Sequence, residues 1–337
     1  MKINNRRYIG CKTKLLDYIY KVVEDYHFPN GSVFADVFAG TGVVTNKFSE
    51  NHYRTIANDI LYSNYVVYKA YLGDGVVRDE IIDKYFNIFN SIDSSDLKNN
   101  YFSLVYGGKY FSENDAKKIG YIRDYIEKIR GELTEREYYY FISSLIYATD
   151  KIANTVGHFE SFLKKIPPEK GVNLKKFEIF DQEYPTDIYN MDANKLIKSI
   201  EADIIYVDPP YNARQYVNFY HVLENLARWN KPTEFEGNSM KFKRNELKSD
   251  YCRKKAPELF KELILNAKCS LIVVSYNNTY RAGSISSVNT ISSKQIIDIL
   301  SMRGNVRVEE INYRAFNSGK TSLANHKEYL YICEVNK

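Results

Sequence analysis

Short runs of apolar, often β-branched residues alternate with helix-like stretches along much of this chain. Residues 31–75 contain two such runs, SVFADV and TIAND, separated by a glycine-rich turn and a helix-like segment. This order is typical of a strand–turn–helix–strand unit with parallel strands. Near residue 188 strand-like runs return as DIYNM, DIIYVD and SLIVVSY, followed by VRVEEINY and EYLYICEV. We expect the last two runs to form an antiparallel pair at one end of a sheet.

The middle of the chain, residues 76–187, has a helical pattern instead. Two of its stretches, SENDAKKIGYIRDYIEKI and TEREYYYFISSLIYATDKI, begin with Ser or Thr followed three residues later by an acid. That spacing is typical of a helix N-terminus. Strands flank this block on both sides, so the pattern predicts one α/β sheet domain, residues 1–75 and 188–337, interrupted by a mainly helical insertion at 76–187. Two independent domains are the alternative.

The charge balance permits an anionic partner without requiring one. The 47 Lys and Arg residues exceed the 42 Asp and Glu residues by five, and 44% of the 337 residues are hydrophobic. Many enzymes with a well-formed core carry such a small excess. The excess is locally concentrated, because residues 231–261 hold nine Lys and Arg against five Asp and Glu. Within this stretch, the Lys- and Arg-rich residues 241–255 are the candidate for contacts with an anionic partner; a solvated loop is the alternative.

Cysteine usage and hydropathy bear on the compartment. The four cysteines are scattered without paired spacing, at Cys11, Cys252, Cys269 and Cys333. This pattern predicts neither a disulfide framework nor a metal site, and it favours a reducing compartment. No run approaches ~18 uninterrupted apolar residues, and no apolar segment follows the basic N-terminal residues. We therefore expect a cytoplasmic protein without a membrane span.

The first candidate for chemistry is a glycine-rich turn. Asp36 ends the run SVFAD, and Gly40 and Gly42 follow at a spacing that lets a ligand approach the backbone. Asp59 lies 17 residues after Gly42, where an acid in a nucleotide-binding unit accepts hydrogen bonds from ribose hydroxyls. The third glycine of the dinucleotide fingerprint is replaced by Thr45, and the acid before the loop suits a cationic ligand. S-adenosylmethionine has both the adenosine and the positive charges that this pattern favours.

The second candidate is the sequence Asp208-Pro209-Pro210-Tyr211 at the end of the apolar run IIYV. Prolines cannot donate to a strand ladder, so the strand must stop there. The carboxyl ends of parallel strands meet at one edge of a sheet, and this turn should lie near the glycine turn. A carboxylate, a free carbonyl at Pro209 and a flat ring would together hold a planar exocyclic amine. A strand-ending loop with a packed tyrosine is the alternative.

These two motifs together resemble those of the S-adenosylmethionine-dependent DNA adenine-N6 methyltransferases. FAGTG before DPPY, with a large segment between them, is the order of the alpha (Dam-like) class. RYIGCK resembles the N-terminal element of that class, and several further stretches resemble modification methylases of the type IIS kind, so the similarity runs over most of the chain. It implies a Rossmann-like methyltransferase sheet with an inserted target-recognition domain. It also implies a site-specific DNA-methyltransferase (adenine-specific), with S-adenosyl-L-methionine as cofactor.

The resemblance implies specific roles for residues around the two motifs. Asp208, Pro209, Pro210 and Tyr211 would be catalytic, holding the amino group and stacking on its ring. Tyr8 and Lys12 would close over the cofactor or the target base, although a surface lysine is an alternative for Lys12. Asp192 would contact the adenine of the cofactor unless it only caps a helix. The remaining cofactor-binding positions would be Asp36, Phe38, Ala39, Gly40, Thr41, Gly42, Asp59 and Ile60.

The implied substrate is an adenine flipped out of double-stranded DNA, because a base within the duplex cannot reach such a pocket. Phosphate contacts would come from Arg214, Lys241, Lys243, Arg244 and Lys320. We expect a monomer that acts as the modification enzyme of a restriction–modification system, with a cognate endonuclease as genetic partner. Methylation of cytosine N4 or of RNA adenine, and a non-catalytic DNA-binding protein that retains the fold, are the rival hypotheses.

Overall fold

The computed structural model describes Ile3 and residues 6–179, 182–277, 288–312 and 327–336. Its strands are β1 Val33–Asp36, β2 Arg54–Asn58, β3 Thr186–Tyr189, β4 Ile204–Val207, β5 Phe235–Glu236, β6 Lys241–Phe242, β7 Leu271–Asn277, β8 Gly304–Asn312 and β9 Lys327–Val335. Its α-helices are α1 Leu16–Glu24, α2 Val43–Ser49, α3 Tyr62–Tyr71, α4 Asp79–Ser91, α5 Tyr101–Tyr106, α6 Glu113–Lys128, α7 Glu135–Ile152, α8 Ala193–Leu196, α9 Tyr216–Arg228, α10 Ala256–Asn266 and α11 Ser293–Leu300.

Seven of these strands form one sheet in the order β3-β2-β1-β4-β7-β9-β8. The first five strands in this order are mutually parallel, whereas β9 runs antiparallel to both β7 and β8. The predicted antiparallel pair is therefore confirmed, and so is the α/β, Rossmann-like fold class. The strand order reverses between β1 and β4, and ligands in open parallel sheets bind beyond the carboxyl ends of the strands at such a point.

The central strands β4 and β7 are buried on both faces, as their sequence pattern requires. All four residues of β4 are buried, and β7 is buried at six of its seven positions. Near-continuous apolar runs of this kind are typical of parallel strands covered by helices. Helices α8, α10 and α11 contribute to one core cluster with residues of β1, β4, β7 and β9. A ligand can therefore approach these central strands at their ends.

The helices of the predicted insertion begin where the capping signals placed them. The Ser112 side chain accepts a hydrogen bond from the Asp115 backbone at the start of α6. Thr134 and Glu137 form a reciprocal capping box at the start of α7. Both patterns satisfy backbone N–H groups that a helix N-terminus leaves without partners. Helix α7 buries a continuous series of residues from Glu137 to Asp150, which makes it the central helix of this part of the chain.

The chain divides into two compact units. The sheet unit comprises residues 10–60, 182–216 and 246–337, and the helical unit comprises residues 1–9, 61–181 and 217–245. The helical unit thus contains most of the segment 76–187, together with the β5–β6 hairpin and nearly all of α9. The assignment of residues 76–187 to target recognition stays a prediction. None of the helices in the described part of the chain is both long and apolar enough to cross a bilayer.

Candidate active site

The glycine turn after β1 is fixed by backbone hydrogen bonds. Gly40 and Gly42 adopt positive φ values of 54° and 78°, which glycine reaches without strain. The Gly40 backbone N–H donates to Asp59 Oδ2 at 3.0 Å, and the Ala39 N–H donates to the Asn58 carbonyl at 2.8 Å. The turn and the end of β2 therefore lie side by side, as expected for a loop and an acid that hold one ligand.

Asp36, the last residue of β1, has an incompletely satisfied carboxylate. Its side chain is buried at 1% exposure, and its Oδ2 accepts a hydrogen bond from the Thr45 hydroxyl at 3.1 Å. Among the described residues, its buried Oδ1 has no hydrogen-bond partner. Burial, and then the nearby Asp208 carboxylate, raise its pKa to about 8. A buried acceptor of this kind fits a ligand that brings a donor or a positive charge.

Asp208 follows β4 directly and forms an ion pair with Lys12. The Lys12 ammonium lies 2.9 Å from Asp208 Oδ1 and 2.8 Å from Oδ2, and its side chain is only 6% exposed. Although burial alone would lower the pKa of Lys12, the adjacent Asp208 carboxylate raises it. Lys12 is therefore a buried partner of the turn, and the alternative of a solvated surface lysine is wrong.

Tyr211 anchors the other end of the turn. Its hydroxyl lies 2.7 Å from Asp208 Oδ1 and 2.5 Å from Glu328 Oε1, and burial raises its pKa. Two groups approach its ring, because the Lys12 ammonium lies 5.0 Å and the Tyr276 ring 4.4 Å from the ring centroid. A base stacked on Tyr211 would have to share the ring with these neighbours.

The turn nevertheless keeps acceptors for an incoming amine. Asp208 Oδ1 is near two donors, whereas Oδ2 is near one, so a lone pair of Oδ2 is available. In the described residues no hydrogen bond reaches the Pro209 carbonyl. By contrast, the Tyr211 carbonyl accepts from the Thr290 backbone N–H at 2.8 Å and from the Tyr276 hydroxyl at 3.0 Å. The following backbone is thus held in place while the acceptors of Asp208 and Pro209 stay available.

Other predicted cofactor residues occupy separate positions. Phe38 packs edge-on against Tyr251, with ring centroids 5.1 Å apart. Asp192 caps α8 by accepting a hydrogen bond from the Lys195 backbone N–H at 3.1 Å, so its capping role is present whatever its part in ligand binding. Tyr8 belongs to the helical unit, where its ring stacks on Tyr220 at 4.5 Å.

The predicted phosphate-binding residues differ in their availability. The Arg214 and Lys243 side chains are exposed, and Lys241 is half-buried, with a pKa lowered by burial. Arg244 is 5% exposed, and its guanidinium donates to Asn218, Glu236 and the Phe242 carbonyl. This placement argues against a phosphate contact by Arg244. Lys320 lies outside the described residues.

Three residues at the site carried no recognisable signal in the sequence. Glu328 lies at the start of an ordinary apolar strand, and its partners Lys12 and Tyr211 are more than a hundred residues away. Tyr276 is one of 31 tyrosines in the chain. Thr45 was notable only for replacing a glycine, although its hydroxyl holds Asp36. A search for buried polar residues at strand ends could have drawn attention to Glu328.

Comparison with known proteins agrees with this geometry. Residues 8–290 match the family described as D12 class N6 adenine-specific DNA methyltransferase. The Modification methylase StsI of Streptococcus sanguinis is 36% identical over 94% of this chain and 50% of its own length. The Type II methyltransferase M.NlaIII of Neisseria lactamica is 33% identical over 97% of this chain and 98% of its own length.

The Type II methyltransferase M.FokI of Planomicrobium okeanokoites is 31% identical over 97% of this chain and 52% of its own length. The chain thus spans about half of the StsI and FokI methylases and nearly all of the NlaIII enzyme. The family match covers both the glycine turn and the Asp208 turn. The chain therefore belongs to the D12 class N6 adenine-specific DNA methyltransferase family.

Proposed function

We propose that this protein transfers a methyl group from S-adenosylmethionine to N6 of an adenine flipped out of double-stranded DNA. The observation that carries the proposal is the pair of available acceptors, Asp208 Oδ2 and the Pro209 carbonyl, beside a buried glycine turn. The adenine amino nitrogen is a poor nucleophile, because its lone pair is delocalised into the ring. A site for its methylation must therefore withdraw that lone pair from the ring.

Asp208 and Pro209 would do so by each accepting one N–H of the amino group. With both hydrogens held, the nitrogen becomes pyramidal and its lone pair points away from the ring plane. Alignment contributes more here than strong base catalysis, because the methyl donor already carries positive charge. Asp208 need not become a full base, since the methylated amine can lose its proton afterwards. Lys12 would hold the Asp208 side chain in place through its ion pair.

The cofactor would lie against the glycine turn. Oδ1 of Asp36 has no hydrogen-bond partner among the described residues and would accept from the ammonium group of S-adenosylmethionine. Asp59 would accept hydrogen bonds from the ribose. The Phe38 ring could favour a cationic sulfur by cation–π attraction. When bound, S-adenosylmethionine supplies a methyl group on a sulfonium, and the protein supplies its orientation. Asp192, which caps α8, would also contact the adenine of the cofactor.

Recognition of DNA would fall to exposed cations and to the helical segment. Arg214, Lys241 and Lys243 would contact phosphates, and we assign Arg244 a structural role in the β5–β6 hairpin instead. Residues 76–187 would read the bases that flank the target. The names of the relatives, which are modification and type II methyltransferases, support a place in a restriction–modification system with a cognate endonuclease.

Expression in a host without adenine methylation tests the proposal. Wild-type protein should introduce N6-methyladenine into the host DNA at one recurring sequence, and single-molecule sequencing would identify that sequence. The Asp208→Ala variant, expressed at the same level, should leave the DNA unmodified. N4-methylcytosine in place of N6-methyladenine would favour the cytosine-N4 hypothesis and contradict this one.

A further inference from the structure

The Tyr211 hydroxyl lies between two carboxyl groups. Its oxygen is 2.7 Å from Asp208 Oδ1 and 2.5 Å from Glu328 Oε1, and both distances are those of hydrogen bonds. A tyrosine hydroxyl has one proton and can donate to only one of these oxygens. If both carboxyl groups were ionised, one of the contacts would place two electron-rich oxygens together without a proton. The arrangement therefore requires one more proton on one of the two acids.

Lys12 decides which acid holds that proton. Its ammonium contacts both oxygens of Asp208 at 2.8 and 2.9 Å but lies 3.4 Å from Glu328. The Glu328 side chain is also the more buried of the two, with 4% exposure against 17% for Asp208. Burial, reinforced by the negative charge of Asp208, raises the pKa of Glu328 despite the opposing effect of Lys12. These observations place the additional proton on Glu328.

We propose that Glu328 is a positioning residue that works as a neutral acid, donating to Tyr211 so that Tyr211 donates to Asp208. This chain of hydrogen bonds would point Oδ1 of Asp208 at Tyr211 and leave Oδ2 for the amino group of the substrate. The role rests on the proposed function, since it concerns the residue that would accept that amino group. It explains why a carboxyl group lies buried at the start of an apolar strand.

The surroundings of Glu328 leave few other groups to compete for the proton. Lys12, Asp208 and Tyr211 face it directly, and Tyr216 is within electrostatic range. Its strand partners Asn277 on β7 and Ile311 on β8 carry no titratable side chain. Ionisation of Glu328 at high pH would place a second carboxylate beside Tyr211 and draw Lys12 away from Asp208. Methyl transfer should therefore fall on the alkaline side as Glu328 ionises.

Two substitutions distinguish a neutral Glu328 from an ionised one. Glu328→Gln keeps the volume and a donor for the Tyr211 oxygen, so its kcat should stay within about threefold of wild type. Glu328→Ala removes the donor, and its kcat should fall by about tenfold or more while cofactor affinity is unchanged. The alkaline decline of kcat should be present in wild type and absent in Glu328→Gln. Glu334→Gln, at an exposed position of the same strand, is the matched control.

An infrared measurement tests the protonation state of Glu328 without any DNA. Buried Asp36 contributes a neutral-acid band to every variant at neutral pH, so the carbonyl stretch of Glu328 is read from difference spectra. The wild-type and Glu334→Gln proteins should each show one more neutral-acid band than Glu328→Gln. Identical bands in wild type and Glu328→Gln, or a kcat of Glu328→Gln as low as that of Glu328→Ala, would overturn the proposal. If wild-type protein methylates no DNA, the proposed function fails, whereas the infrared band still reports on Glu328. Thermal melting confirms that each variant is folded.

Discussion

The affinity for S-adenosylmethionine should depend steeply on pH because of Asp36. This carboxyl group is buried, and its pKa is raised to about 8 by burial and by the carboxylates of Asp208 and Asp59. In the ligand-free protein it is therefore mostly neutral at a pH below 8. To hold the ammonium of the cofactor it must lose its proton, so that binding and ionisation are coupled.

The magnitude follows from the pKa. Well below the pKa, each pH unit reduces the ionised fraction about tenfold, which corresponds to roughly 1.4 kcal/mol of binding free energy. Because the carboxyl group is already about half neutral at a pH equal to its pKa, the affinity should weaken by about fiftyfold, or roughly 2 kcal/mol, between about pH 8 and about pH 6. About one proton should be released for each cofactor bound at the lower end of this range. Asp36→Asn should bind more weakly than wild type near pH 8 and lose most of this dependence.

Isothermal titration calorimetry over this pH range measures both the cofactor affinity and the number of protons released. The proton release is obtained from titrations in two buffers with different ionisation enthalpies. Asp17→Asn is the control, since the side chain of Asp17 is 94% exposed and lies in the same unit. A cofactor affinity that is constant with pH would refute the coupling. So would an Asp36→Asn variant that binds as tightly as wild type near pH 8.

Three further predictions concern other parts of the chain. Asp208→Ala should lower single-turnover methylation by about a hundredfold or more. Its cofactor affinity, measured by equilibrium dialysis, should be no weaker than that of wild type, because Asp36 loses a neighbouring negative charge. Arg244→Ala should destabilise the helical unit by about 1–3 kcal/mol in urea unfolding. Lys243→Ala should leave the stability unchanged and weaken DNA binding in a salt titration. The reverse result would show that Arg244 contacts a phosphate. Glu137, buried beside Arg78, has a pKa lowered to about 2. A carboxyl group whose pKa in the folded protein lies below its ordinary value of 4.5 stabilises the fold at pH values above 4.5. This stabilisation should be lost as the pH falls towards 2. The stability of Glu137→Gln should not show this loss.

The sequence predicts the sheet well because strand ends are marked by residues with few conformational choices. Prolines 209 and 210 can end a strand but not extend it, and the glycines at 40 and 42 allow the positive φ values of the turn. Two such markers at the ends of parallel strands are sufficient to bring Asp36 and Asp208 to one edge. Capping residues predicted the starts of α6 and α7 in the same local manner.

Partners that depend on tertiary structure could not be predicted from the sequence. Glu328 reaches Tyr211 only because β9 pairs with β7 in one register, and this register is not written in the local pattern. Arg244 resembles its exposed neighbour Lys243 in sequence, yet it is buried because Glu236 and Asn218 complete its hydrogen bonds. The two residues therefore differ in side-chain burial, which the charge of the stretch does not predict.

The central claim is that Asp208 and Pro209 hold an adenine amino group for methylation. Incubation of the purified protein with labelled S-adenosylmethionine and duplex DNA, followed by digestion and identification of the labelled nucleoside, tests this claim most directly. Wild-type protein should yield labelled N6-methyl-2′-deoxyadenosine, and Asp208→Ala should yield none. Label in N4-methylcytosine, label in RNA alone, or equal labelling of adenine by both proteins would contradict the account.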